Sequence, residues 1–116
     1  MNTIGIDFGT GNTVLAEWYG TQSKIYEQVG NNGLVCSDVA LNKQGQIISQ
    51  PVQELQNLSD YQIEKFIKRK LLNAIYAEDQ EAIAYLTELA THRLKYVFDS
   101  YTKATAEKVV KAVLTC

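Results

Sequence analysis

Thr3-Ile4-Gly5-Ile6-Asp7-Phe8-Gly9-Thr10-Gly11-Asn12-Thr13 is the stretch whose reading decides how this chain folds. Ile4, Ile6 and Phe8 alternate with Gly5 and Asp7, the period-two pattern of a strand with one apolar face. Gly9-Thr10-Gly11-Asn12 is a dense turn signal, and Thr13–Trp18 resumes with β-branched and aromatic residues. Two strands joined by a short Gly/Asn loop predict a hairpin. The same residues are the best candidates for chemistry. Asp7 falls at the end of a strand, where its carboxylate projects toward the loop. A loop with two glycines lets backbone N–H groups converge on an oxyanion, and Thr10 and Thr13 add hydroxyl donors. A phosphate held there needs a divalent cation, which a nearby carboxylate holds directly or through its waters. A plain tight turn, with Asp7 satisfied by turn amides, is the competing account of these residues.

Outward from that hairpin, Gly20-Thr21-Gln22-Ser23 reads as a second turn and Lys24–Val29 as a third strand. Gly30-Asn31-Asn32-Gly33 ends the meander. Leu34–Leu41 and Gln46–Ser49 flank Asn42-Lys43-Gln44-Gly45, which predicts another hairpin with more polar, exposed strands. Beyond Pro51 the character changes. Ser59-Asp60-Tyr61-Gln62 fits a capping box, and Ile63, Phe66, Ile67, Leu71 and Ile75 follow at helical spacing. A second helix over about 78–101 carries Ile83, Leu86, Leu89, Ala90, Leu94, Val97 and Phe98 on one face. Whether Asn73–Ala77 continues the first helix or breaks it stays open. Val109–Thr115 is apolar at nearly every position, the pattern of a strand covered on both faces. A helical tail over Ala104–Leu114 is the alternative, disfavoured by Val109, Val110 and Val113.

Composition bounds the function without naming it. At 116 residues, 46% hydrophobic and 21% charged, the chain matches an ordinary globular domain. A net charge of −2 argues against a general nucleic-acid or anionic-membrane binder, which needs a basic surplus. No apolar run approaches the ~20 residues that cross a bilayer, and no basic-then-apolar leader opens the chain, so a cytoplasmic location is expected. Cys36 and Cys116 form no metal or disulfide pattern and read as inert, reduced thiols. His92 sits among helical residues with no ligand cluster at suitable spacing, as a surface or half-buried side chain does. Lys65, Lys68, Arg69 and Lys70 read, on their own, as a solvated basic face favouring a helix C-terminus.

Ile4-Gly5-Ile6-Asp7-Phe8-Gly9-Thr10-Gly11-Asn12-Thr13-Val14-Leu15-Ala16 resembles the first phosphate motif of the actin-like ATPase superfamily. More closely, it is similar to the opening of the seventy-kilodalton heat-shock chaperone family, Gly-Ile-Asp-Leu-Gly-Thr-Thr-Asn-Ser followed by Val-Ala. Leu34–Leu41 with Gln46–Ile48 resembles that family's Pro-Ser-Val-Val-Ala-Phe hairpin, and Phe66-Ile67-Lys68-Arg69 its Val-Lys-Arg segment. Glu88–Tyr101 and Glu107–Thr115 resemble its helix and strand leading to Ala-Val-Ile-Thr-Val-Pro. The likeness runs in order through nearly all of the chain, though only the Asp-Phe-Gly-Thr motif is highly specific. Gly11 departs from the pattern, standing where the chaperones usually have a second Thr, so one hydroxyl donor is missing.

The resemblance implies an α/β (α+β) chain with part of a ribonuclease-H-like, actin-like ATPase fold. It implies a core subdomain from residues 1–30 and 104–116 and an inserted peripheral subdomain from 31–103. By the same resemblance Asp7 orients Mg²⁺ through water, and Gly9, Thr10, Gly11 and Asn12 lie around the β- and γ-phosphates of ATP or ADP. Lys68 reaches the γ-phosphate and its attacking water, with Arg69 beside it. Phosphoryl transfer to water depends on positioning and charge stabilisation, so a metal-carboxylate, an amide loop and a lysine belong together. The family's second phosphate motif, adenosine motif and substrate-binding domain have no counterpart in these 116 residues. The expectation is therefore an N-terminal portion of a chaperone-type ATPase, incomplete for hydrolysis, whose partners are nucleotide and the remainder of the ATPase domain. The alternatives are a stand-alone interaction module that self-associates through sheet edges, and the start of a filament-forming actin-like protein or a sugar kinase.

Overall fold

The computed structural model describes residues 2–106 and 109–115. Cys116 and the inertness expected of its thiol lie outside them. The chain is mixed α/β, with two sheets and two helices. Strands β1 (Asn2–Phe8) and β2 (Asn12–Tyr19) form the expected hairpin, paired from Thr3–Trp18 to Phe8–Thr13. Strand β3 (Gln22–Ile25) adds to β2, starting two residues earlier than Lys24 because Gly20-Thr21 alone makes the turn. It also ends earlier: Glu27–Gly30 is turn, and Val29 reaches the core from there.

The run Leu34–Leu41 is not one strand of an exposed hairpin. It divides at Ser37-Asp38 into β4 (Leu34–Cys36), which pairs with β2, and β5 (Val39–Leu41), which starts a second sheet. All three β5 residues are buried, because β6 (Ile47–Ile48) flanks one edge and β7 (Gln62–Glu64) the other. Strand β7 is also where the expected capping box fails. Ser59 lies in a short 3-10 turn over Leu58–Asp60, and Gln62-Ile63-Glu64 is extended. The open edge of β5 offers backbone hydrogen bonds to that segment, a tertiary gain that outweighs a local helix signal.

Helix α1 (Ile67–Tyr76) begins only after Phe66, whose φ of 58° puts it in the left-handed region and whose side chain caps nothing. Of the stretch left open, Asn73–Tyr76 continues α1, and the break comes just after it at Ala77–Asp79, with Glu78 at φ 54°. Helix α2 (Gln80–Thr105) is capped by Asp79, whose Oδ1 accepts from the Ala82 amide at 3.2 Å. Glu81 in its first turn and Lys103 in its last complement the helix dipole. The expected apolar face is the one that packs. Val97 and Tyr101 join Ile4, Ile6, Leu15, Val29 and Val35 in one core. Leu86 and Leu89 join Phe8, Val39, Leu41, Ile67 and Ala74 in a second, with Leu94 packed against both. Among the described residues, no helix is long and apolar enough to cross a membrane.

Arg93 and Tyr101 are buried polar anchors of α2. Arg93, 1% exposed, donates from Nη1 to the Ser49 carbonyl (3.1 Å) and from Nη2 to the Asp38 carbonyl (2.9 Å), tying both outer ends of the β5–β6 hairpin to the helix. Tyr101 donates its hydroxyl to Glu17 Oε2 at 2.5 Å, and the Tyr26 ring meets its edge with centroids 5.0 Å apart. Replacing Tyr101 with Phe keeps the ring packing and removes the hydroxyl that donates to the Glu17 carboxylate. The expected loss is about 1.5 kcal/mol, read as a lower urea midpoint at unchanged slope.

Strand β8 (Val109–Thr115) forms as expected and lies parallel to β1. It is not covered on both faces. Lys111, Ala112, Val113 and Leu114 are all exposed, because α2 spans the middle strands of one face and nothing among the described residues spans the other. The sheet order is β3-β2-β1-β8, with β4 beside β2, leaving β8 as an edge.

Candidate functional site

Ile4, Ile6 and Phe8 point under α2, so the strand alternation turns Thr3, Gly5 and Asp7 to the opposite, open face. Asp7 is therefore exposed at the C-terminal end of β1, between Val14 of β2 and Thr115 of β8 in register. It makes no hydrogen bond or ion pair among the described residues. The turn satisfies its own geometry instead: the Gly9 amide donates to the Asn12 carbonyl at 3.0 Å, and the Ser37 amide donates to the Gly11 carbonyl at 3.0 Å. Gly9 is required here, since a Cβ would lie 2.6 Å from the Asn12 oxygen. Gly11 is not: it has open space around it, so the hydroxyl missing at that position is not excluded by crowding. Thr13 is fully buried and shares a 2.9 Å hydrogen bond with Ser37, which commits the hydroxyl expected at the loop to tying β2 to the residue after β4. Thr10, half-exposed, keeps its place at the loop tip.

The basic residues sit at the opposite helix end from the one read on charge alone. Lys68, Arg69 and Lys70 occupy the first turn of α1, with no acid among them and no side-chain cap. Cations there oppose the positive end of the helix dipole, so their placement is set by tertiary packing. Phe8 and Ile67 belong to one buried cluster, together with Val39, Leu41, Ala74, Leu86 and Leu89. Lys70 is committed to structure, with Nζ 3.0 Å from Glu64 Oε2, an acid that also accepts from the Tyr85 hydroxyl at 3.2 Å. Burial, followed by the charge of Glu64, pushes the Tyr85 phenol up. Arg69 lies 5.8 Å from the Phe66 ring centroid. Half-buried Lys68 has no partner among the described residues.

What this end of the molecule can do follows from that inventory. One unpaired carboxylate, a turn with Thr10 at its tip and a lysine beside an uncapped helix start suit a phosphate with a cation attached through water. No group of three His, Cys, Asp or Glu able to hold a metal directly occurs among the described residues. His92 is half-buried on α2, away from any such group. Cys36 is half-buried, and burial pushes its thiol up, which makes it a weak nucleophile. Sequence reasoning missed Arg93, whose only signal was a cation interrupting the apolar stripe of α2, and the Glu17 anchor of Tyr101. Neither a family model nor a curated protein matches this chain.

Proposed function

We propose that this chain carries the first phosphate loop of an actin-like ATPase of the chaperone type, with the ribonuclease-H-like fold of that superfamily, and supplies one side of a nucleotide site. Two observations support the reading: Phe8 and Ile67, the chain neighbours of Asp7 and Lys68, belong to one buried cluster, and neither charge has a partner among the described residues. Asp7 holds water ligands of Mg²⁺, Thr10 and the loop amides orient a phosphate, and Lys68 with Arg69 balances its charge. Bound Mg²⁺ supplies neutralisation of the phosphate oxygens. All of these groups approach the ligand from one side, so affinity is weak and turnover is absent. The division into residues 1–30 with 104–116 and an inserted 31–103 belongs to the same proposal. So do the missing remainder of the ATPase domain as partner and a cytoplasmic location.

The test is an amide-resolved NMR titration of the 116-residue chain with Mg-ATP. Shifts confined to Thr10, Gly11, Asn12 and Lys68, with Kd near ~1 mM or weaker, are expected. No movement of those amides up to about 10 mM would reject the phosphate loop, whereas micromolar affinity by calorimetry would reject the one-sided site. The alternative of an interaction module draws on a different observation, the uncovered face of the first sheet.

A further inference from the structure

Two apolar surfaces of this chain lack a partner among the described residues. One is the open face of the first sheet. Its floor is Gly5 and Ala16, register partners with almost no side chain, and a trough of about 710 Å³ runs over them. Trp18 (50% exposed) and Ile25 wall one side and Val113 (44% exposed) the other. The second surface is the outer side of α1. At 100° per residue, Leu72, Ile75 and Tyr76 fall within an arc of about 100°. They are 51, 52 and 89% exposed, while Ile67, Leu71 and Ala74 face the core.

The surfaces match in length and in charge. From Thr3 to Asp7 the trough runs about 13 Å at strand rise, and the ten residues of α1 run about 15 Å at helix rise. Asp7 marks one end of the trough and Lys111, level with Thr3, the other. Helix α1 starts with Lys68 and Arg69 and is followed by Glu78, Asp79 and Glu81. Laid antiparallel to β1, its positive end meets Asp7 and its acidic end meets Lys111, in agreement with its dipole. Within one chain the two cannot meet. Ile67, Leu71 and Ala74 belong to the cluster of Phe8, Leu86 and Leu89 on the α2 side of the sheet, which turns the outer stripe of α1 away from the trough.

We propose that α1 of a second copy of this chain lies in the trough, antiparallel to β1, with Leu72, Ile75 and Tyr76 over Gly5 and Ala16. The contact is heterologous, helix on sheet, and does not depend on the nucleotide reading. One helix in one groove covers well under the ~800 Å² per partner of a standard interface, so association is expected on the order of 100 μM.

The experiment is sedimentation velocity over concentration, with emission of the single tryptophan, Trp18, recorded alongside. Wild type is expected to gain mass and shift its emission to the blue as Trp18 is covered. Ile75→Glu and Val113→Glu, both at half-exposed sites, are each expected to weaken association by at least ~tenfold. Mixed, they are expected to form a 1:1 dimer and nothing larger, since one keeps its trough and the other its helix. If circular dichroism shows Val113→Glu unfolded, Lys111→Glu on the same strand replaces it in the mixture. A wild type that stays monomeric with unmoved emission to about 1 mM overturns the proposal. So does an Ile75→Glu that associates like wild type, the result for pairing of β8 edges, or a mixture that remains monomeric.

Discussion

Arg93→Ala is expected to destabilise the fold by about 3–4 kcal/mol, a large share of the ~5–15 kcal/mol that holds a domain together. The side chain is 1% exposed and bridges α2 to both ends of the β5–β6 hairpin through the Ser49 and Asp38 carbonyls. Truncation removes both bonds, vacates the space over the Tyr96 ring, whose centroid is 5.5 Å from the guanidinium carbon, and frees the hairpin. Burial lowers the guanidinium pKa, and its Nε has no partner, so the arginine is costly to bury and valuable for its geometry. It stays charged at every working pH, and its contribution adds no pH dependence near neutrality. Arg93→Met separates the terms. It refills much of the volume and buries no charge, and the expected loss is only about 1–2 kcal/mol. Urea unfolding of the two variants reads the difference. Equal losses would mean that the carbonyl bonds carry the anchor and that volume carries none of it.

Gly30→Ala is expected to cost about 3 kcal/mol. Gly30 sits at φ 64°, where a side chain already costs roughly 1 kcal/mol. Its Cβ would also strike the Leu34 carbonyl oxygen and lie 2.7 Å from Val35 Cγ2. That oxygen accepts from the Asn31 amide at 2.9 Å, and Val35 is buried in the core, so neither yields freely. Two companion variants divide the cost. Gly45 has a positive φ of 78° and open space, so Gly45→Ala is expected to lose about 1 kcal/mol from backbone strain alone. Gly11 has open space and no positive φ, so Gly11→Ala is expected to be neutral or slightly stabilising. Thermal midpoints should rank the three in that order, and a Gly30 variant no worse than the Gly45 variant would refute the clash.

The parts of the fold legible in the sequence are those whose signal is local. The alternation of Ile4, Ile6 and Phe8 and the turn behind it are enough for the β1–β2 hairpin. The stripe from Ile83 to Phe98 is enough for α2. Leu34–Leu41 was misread because a continuous apolar run carries no mark of the point where it leaves one sheet for another. Gln62-Ile63-Glu64 was misread because a strand of three residues exists only through the neighbour that pairs with it, and the competing cap signal at Ser59 was local. The candidate site divides in the same way. Asp7 and Gly9–Asn12 are adjacent in sequence, so their grouping needs no fold. Lys68 is linked to them only by the fold, which puts its neighbour Ile67 in the same buried cluster as Phe8, nearly sixty residues away.

For this protein, local sequence determined where β1, β2, α2 and β8 lie: alternation for β1, a turn followed by β-branched residues for β2, a helical stripe for α2 and a β-branched apolar run for β8. Only the tertiary structure decided that the chain divides into two sheets and that α1 starts at Ile67. It also decided that Arg93 is an internal clamp, and that the apolar run of β8, read as covered on both sides, borders an open face. Burial is a property of what arrives from elsewhere in the chain, and apolar residues record the need for cover without recording what supplies it.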